Sequence, residues 1–140
     1  MYLFRGDAPR EDFAATLPPL QRLGFKLVAS KMMPAYPYEE AYFLYKARQV
    51  RDAVDMPLIL LGGINTRATI EMAMAEGFQF VAMGRALLRE PDLLARMQAG
   101  EQLEGNCIHC NRCMPSIYSG SRCVLDHPEP IVVPAGHTIR

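Results

Sequence analysis

Two glycine turns and a knot of four cysteines are the residues of this 140-residue chain whose types and spacing can do chemistry. Gly62-Gly63 follows the apolar run Leu58-Ile59-Leu60-Leu61, and Gly84-Arg85 follows Phe78-Gln79-Phe80-Val81-Ala82-Met83. A glycine has no Cβ, so its backbone N–H can approach a bound anion closely. Arg85 adds a forked cation matched to phosphate oxygens. Each turn opens toward a predicted helix, whose first N–H groups are unpaired and sit at the positive end of the helix dipole. A lone Gly-Gly or Gly-Arg is more often a plain turn. Two of them on successive strands, about 20 residues apart as a βαβ unit requires, set phosphate binding beside that plainer reading.

The cysteines run Cys107-x2-Cys110-x2-Cys113-x9-Cys123, all within 17 residues. A reducing cytoplasm disfavours disulfides. Thiolates at this spacing can turn around an iron–sulfur cluster, with the fourth arriving from farther along. Four-thiolate zinc is the next reading, and a set of ordinary thiols with no metal is the third. His109 is either an alternative ligand or a solvated loop residue, the second being preferred.

The elements that must position these groups follow from pattern. Leu58–Leu61 has the length and composition of a strand buried on both faces. Asn65 or Thr66 can cap a helix that carries Ile70, Ala73 and Met74 and stops at Gly77. Phe78–Met83 is the second strand, parallel to the first. Glu39–Val54 reads as the strongest helix, with Ala41, Phe43, Leu44, Ala47, Val50 and Val54 on one side. Pro91 suits the first position of a further helix and Gly100 its stop. Earlier in the chain, Met1–Arg10 reads as a loop, and Pro18-Pro19 interrupts a mixed helical stretch from Glu11 to Leu23. Phe25–Ala29 is a short strand or an extended piece of a long loop. Lys31–Tyr38, punctuated by Pro34 and Pro37, is a lid over a cofactor or, preferably, a segment packed on its own domain. No catalytic role is assigned to Tyr36 or Tyr38.

The ordered set LILLGGINT, EGFQFVAMGRALLREPDLLARMQAGE and CIHCNRC resembles the C-terminal part of the old yellow enzyme family. The branch it resembles is the bacterial NADH:flavin oxidoreductases, which include the 2,4-dienoyl-CoA reductase type, and the match runs from about Ala41 to Cys123. The resemblance implies an α/β fold, the C-terminal strands and helices of a (β/α)8 TIM barrel. It implies that Gly62, Gly63, Gly84 and Arg85 hold the phosphate of FMN. It favours the loop reading of Phe25–Ala29. In the complete family member NAD(P)H reduces the flavin, which passes the hydride to a small electron-poor substrate such as an activated alkene. The resemblance also implies a 4Fe–4S centre on Cys107, Cys110, Cys113 and Cys123, with a departure. Cluster-bearing members have C-x2-C-x3-C and a longer gap to the fourth cysteine, so this sequence is one residue short and Cys113 is turned differently. Flavin-stacking, substrate-binding and proton-donating residues would come from earlier strands, so no catalytic residue is named.

A complete barrel typically takes about 250 residues. The chain is therefore expected to be a fragment, Met1 being internal to a longer protein or the product of a truncated gene, with a small independent α/β domain as the alternative. The expected division is 1–104 as barrel portion, 105–125 as a cysteine-rich loop and 126–140 as an extended tail. Fifteen basic and fifteen acidic residues balance, which disfavours nucleic-acid binding through a broad basic surface. The apolar runs are too short to span a membrane, and no secretory signal is visible, so a cytoplasmic protein is expected. Two or three parallel strands alone leave an unpaired edge that invites self-association into a homo-oligomer. The competing reading is a non-catalytic remnant, or an iron–sulfur or zinc module that docks on a partner.

Overall fold

The computed structural model describes residues 5–131, leaving aside the side chain of Tyr118. Its elements in chain order are α1 (Arg10–Ala15), α2 (Pro19–Met32), α3 (Leu44–Arg51), β1 (Ile59–Leu61), α4 (Arg67–Ala75), β2 (Phe80–Ala82), α5 (Gly84–Arg89), α6 (Leu93–Ala99) and a 3-10 helix, Pro115–Ser119. They form two compact units. One is Tyr38–Ile108, and the other combines the described parts of Met1–Pro37 and His109–Arg140. No described helix is long and apolar enough to cross a membrane.

In Tyr38–Ile108 the two strands pair in parallel, Ile59 with Phe80, Leu60 with Val81 and Leu61 with Ala82. Helix α4 joins them. Of the two candidate caps it is Thr66 that starts the helix, in extended backbone, its hydroxyl accepting from the Thr69 N–H at 3.2 Å. Gly77, with φ +92°, follows the last turn in the left-handed region that glycine occupies freely. Leu60, Ile64, Ala73, Phe78, Met83, Ala86, Leu93 and Met97 make one buried cluster on one side of the sheet. The other side differs from expectation. Ile59, Leu61 and Phe80 are 57%, 49% and 58% exposed, so β1 is buried on one face and not on both. The reason is that among the described residues the sheet has only these two strands.

Helix α3 is shorter than the apolar stripe from Glu39 to Val54 suggests. Ala41 has φ +52°, which breaks the helical path, and the Tyr42 N–H donates to the Gly62 carbonyl at 3.0 Å instead of to its own helix. The far end of α3 is tied to the end of α4. Arg48 Nε donates to the Glu76 carboxylate at 2.7 Å, and Arg51 donates to the Glu76 carbonyl at 2.8 Å. Helix α6 begins at Leu93 and not at Pro91, which lies in the preceding turn, while Gly100 ends it at φ +76° as expected.

In the other unit the reading of Phe25–Ala29 as strand or extended loop is overturned. These residues lie inside α2, because Pro19 occupies the first turn, where its missing N–H costs nothing, and starts the helix it was expected to break. Arg22 reaches from α2 to the exposed carbonyls at the end of α1, donating to Ala14 and Ala15 at 3.0 Å each. His109 is buried at 6% exposure, which corrects the expectation of a solvated loop residue. Its carbonyl accepts from the Asp7 N–H at 3.1 Å, and Asn111 Nδ2 donates to the Asp7 carbonyl at 2.8 Å. The expected cysteine-rich loop contains the 3-10 helix and is otherwise irregular. Residues 132–140 of the expected tail lie outside the described residues.

Candidate functional site

The two glycine turns follow directly from the strand pairing. Parallel strands run the same way, so the residues after Leu61 and after Ala82 leave the sheet at the same end. Gly62-Gly63 and Gly84-Arg85 thus stand at one rim, within a single compact unit.

The two turns need glycine for different reasons. Gly62 and Gly63 have φ of +124° and +76°, where side chains strain the backbone. A Cβ on Gly62 would lie 3.1 Å from the Phe43 backbone N, and one on Gly63 would lie 3.0 Å from the Tyr38 ring and 3.1 Å from the Tyr42 ring. One side of this turn is therefore walled by aromatic residues. Gly84 is the first residue of α5, and nothing lies within 4 Å of where its Cβ would be. Replacing Gly63 by Ala is expected to lower stability by about 1–2 kcal/mol in chemical denaturation, from strain and crowding together. Gly84→Ala is expected to leave stability unchanged or slightly raised. Equal costs at both positions would contradict this account.

The residues that shape the turn were not assigned to it from sequence. Tyr38, read as loop packing, donates its hydroxyl to the Gly63 carbonyl at 2.7 Å. Loss of water around that hydroxyl pushes its pKa well above the usual phenol range, the Glu40 charge pushes the same way, and Arg85 opposes them. The phenol therefore stays a donor at neutral pH. Glu40 accepts from the Asn65 N–H at 2.6 Å, the Thr66 N–H at 2.7 Å and the Thr66 hydroxyl at 3.1 Å. An anion thus already occupies the two amides that lead into α4. No periodicity links Tyr38 or Glu40 to a turn more than 20 residues later in the sequence. Only an aromatic and acidic cluster just before a helix was visible.

Arg85 is half-buried in the first turn of α5, close enough to Tyr38 for its charge to act on the phenol. It also makes interactions within the protein, so its guanidinium is held and not loose.

The cysteines divide between the units. Cys107 lies in Tyr38–Ile108, whereas Cys110, Cys113 and Cys123 lie in the other unit. All four are free thiols of intermediate exposure. Among the described residues no group of three or more His, Cys, Asp or Glu side chains is placed to hold a metal ion. The donor set in this arrangement does not fit a cluster.

No protein-family model matches the chain, and no solved structure does. Curated relatives do match. A 4,4'-dithiodibutanoate disulfide reductase of Rhodococcus erythropolis is 56% identical over 125 residues, covering 89% of this chain and 31% of the relative. An NADH oxidase of Thermoanaerobacter brockii is 34% identical over 76 residues, 53% of this chain and 12% of the relative. An NADH:fumarate oxidoreductase of Klebsiella pneumoniae (strain 342) is 35% identical over 87 residues, 62% of this chain and 8% of the relative. The chain spans less than a third of the length of each of these relatives. It is similar, over that fraction, to enzymes named as oxidoreductases.

Proposed function

We propose that the chain carries the phosphate half of an FMN site in an NAD(P)H-dependent oxidoreductase of the old yellow enzyme type, as the C-terminal portion of its (β/α)8 TIM barrel. One observation carries this reading: the parallel register, with Leu61 opposite Ala82, brings both glycine turns to one rim. Gly62, Gly63, Gly84 and Arg85 would hold the phosphate. The open space at Gly84 and the anion-accepting run of amides after Gly63 suit such a ligand. When bound, FMN supplies hydride transfer between a nicotinamide and a substrate, and the protein positions it.

The relative at 56% identity, named as a disulfide reductase, favours an organic disulfide as substrate. One hydride and one proton then convert the disulfide to two thiols while the nicotinamide is oxidised. An electron-poor alkene is the second substrate class, favoured by the relative named for fumarate. A cytoplasmic setting goes with this reading. The cysteine set enters only through family resemblance, and no step is routed through it. Iron with acid-labile sulfide in the purified protein would establish the cluster, and four titratable thiols without metal would remove it.

The test of the flavin reading is FMN binding by the purified chain. Arg85→Ala is expected to weaken binding by about 1–3 kcal/mol, the range for a hydrogen-bonded charged partner. Unchanged affinity removes Arg85 from the site, and a chain that ignores added FMN sinks the flavin reading.

A further inference from the structure

We infer that Tyr38 is a positioning residue for the proposed phosphate turn, its hydroxyl aiming backbone amides at the ligand; this rests on the reading above. A trans peptide is planar, so its N–H points opposite to its C=O. The chain has no cis peptide among the described residues. The Gly62 carbonyl is held by the Tyr42 N–H at 3.0 Å, and the Gly63 carbonyl by the Tyr38 hydroxyl at 2.7 Å. The N–H groups paired with those carbonyls belong to Gly63 and Ile64. Both are therefore directed away from the tyrosine side.

Neither amide donates a hydrogen bond among the described residues, although Ile64 is only 2% exposed. Unpaired amides in buried segments are rare, and each one costs stability until a partner arrives. The next two amides, of Asn65 and Thr66, are already satisfied by the Glu40 carboxylate. The run of four consecutive N–H groups is thus half filled by an internal anion and half unfilled. A phosphate oxygen has the right chemistry for the unfilled half. Tyr38 never touches it; the phenol acts through the Gly63–Ile64 peptide plane.

The experiment compares wild type with Tyr38→Phe, which removes one oxygen and keeps the ring against Gly63. Three probes are used: FMN, riboflavin (which lacks the phosphate) and inorganic phosphate followed by the amide resonances of Gly63 and Ile64. The expected result is FMN affinity reduced about 5–10-fold, the size of one hydrogen bond. Riboflavin affinity and melting temperature stay unchanged, and the phosphate-induced shifts of both amides shrink. Wild-type FMN affinity in the variant overturns the positioning role and leaves the flavin reading standing. Parallel loss of FMN, riboflavin and thermal stability also overturns it, since that is a structural effect. If wild type ignores FMN but its two amides shift with phosphate and Tyr38→Phe abolishes the shift, the positioning role stands and the flavin reading falls. Silence with both probes removes both.

Discussion

Replacing Glu90 by Ala is expected to destabilise Tyr38–Ile108 by about 3–5 kcal/mol, measured as a shift of the denaturant midpoint at unchanged slope. Glu90 is 8% exposed, yet its carboxylate is surrounded by donors. Arg96 donates at 2.6 Å, Asn106 Nδ2 at 2.8 Å and Gln102 Nε2 at 3.1 Å, and the Asn106 N–H adds a further short bond. Truncation leaves these donors facing a hole, so the lost bonds and the stranded groups both count. Burial alone pushes the Glu90 carboxyl upward, but the bonds from Asn106, Gln102 and Arg96 together outweigh it and hold the pKa below the ordinary value. The sign follows from linkage. A depressed folded-state pKa contributes stability that is fully present above the ordinary carboxylate range and is lost as pH falls through the folded value. Glu90→Gln should therefore differ most from wild type at neutral pH, with the gap closing under acid. A gap that widens under acid would show that the charge is not what matters.

Glu40→Ala is the second large effect, about 2–4 kcal/mol, because two backbone N–H groups and one hydroxyl lose a charged acceptor at once. Hydrogen exchange localises the consequence. Amides in the first turn of α4 should exchange faster, while the far end of α4, tied to α3 through Glu76, should change less. Uniform acceleration across α4 would refute a local capping role. The Glu40 charge also opposes any second anion at the adjoining Gly63 and Ile64 amides, which makes the Arg85 cation its natural counterweight in the proposed site.

These residues also show how much of the molecule could be read from the chain. The central βαβ segment was legible because its signals are local. Apolar runs bounded by glycine, a capping threonine and a helix stop at Gly77 each act within a few residues of themselves. The same local reasoning failed at Pro18-Pro19. Two prolines break a helix or start one depending on the backbone that precedes them, and Phe25–Ala29 went to helix. It failed again at Glu39–Ala41, where helical periodicity was real but contacts to Gly62, Asn65 and Thr66 competed for the same backbone.

The sequence by itself determined that two short apolar strands, each ending in glycine, flank one helix, since hydrophobic period and glycine placement are properties of neighbouring residues. Only the tertiary structure decided that Tyr38 and Glu40 stand on the first of those turns, that His109 is buried, and that the four thiols fall in two separate units. Each of those outcomes depends on groups distant along the chain meeting in space. No spacing rule encodes such meetings, because they are selected by packing and hydrogen-bond satisfaction of the whole fold.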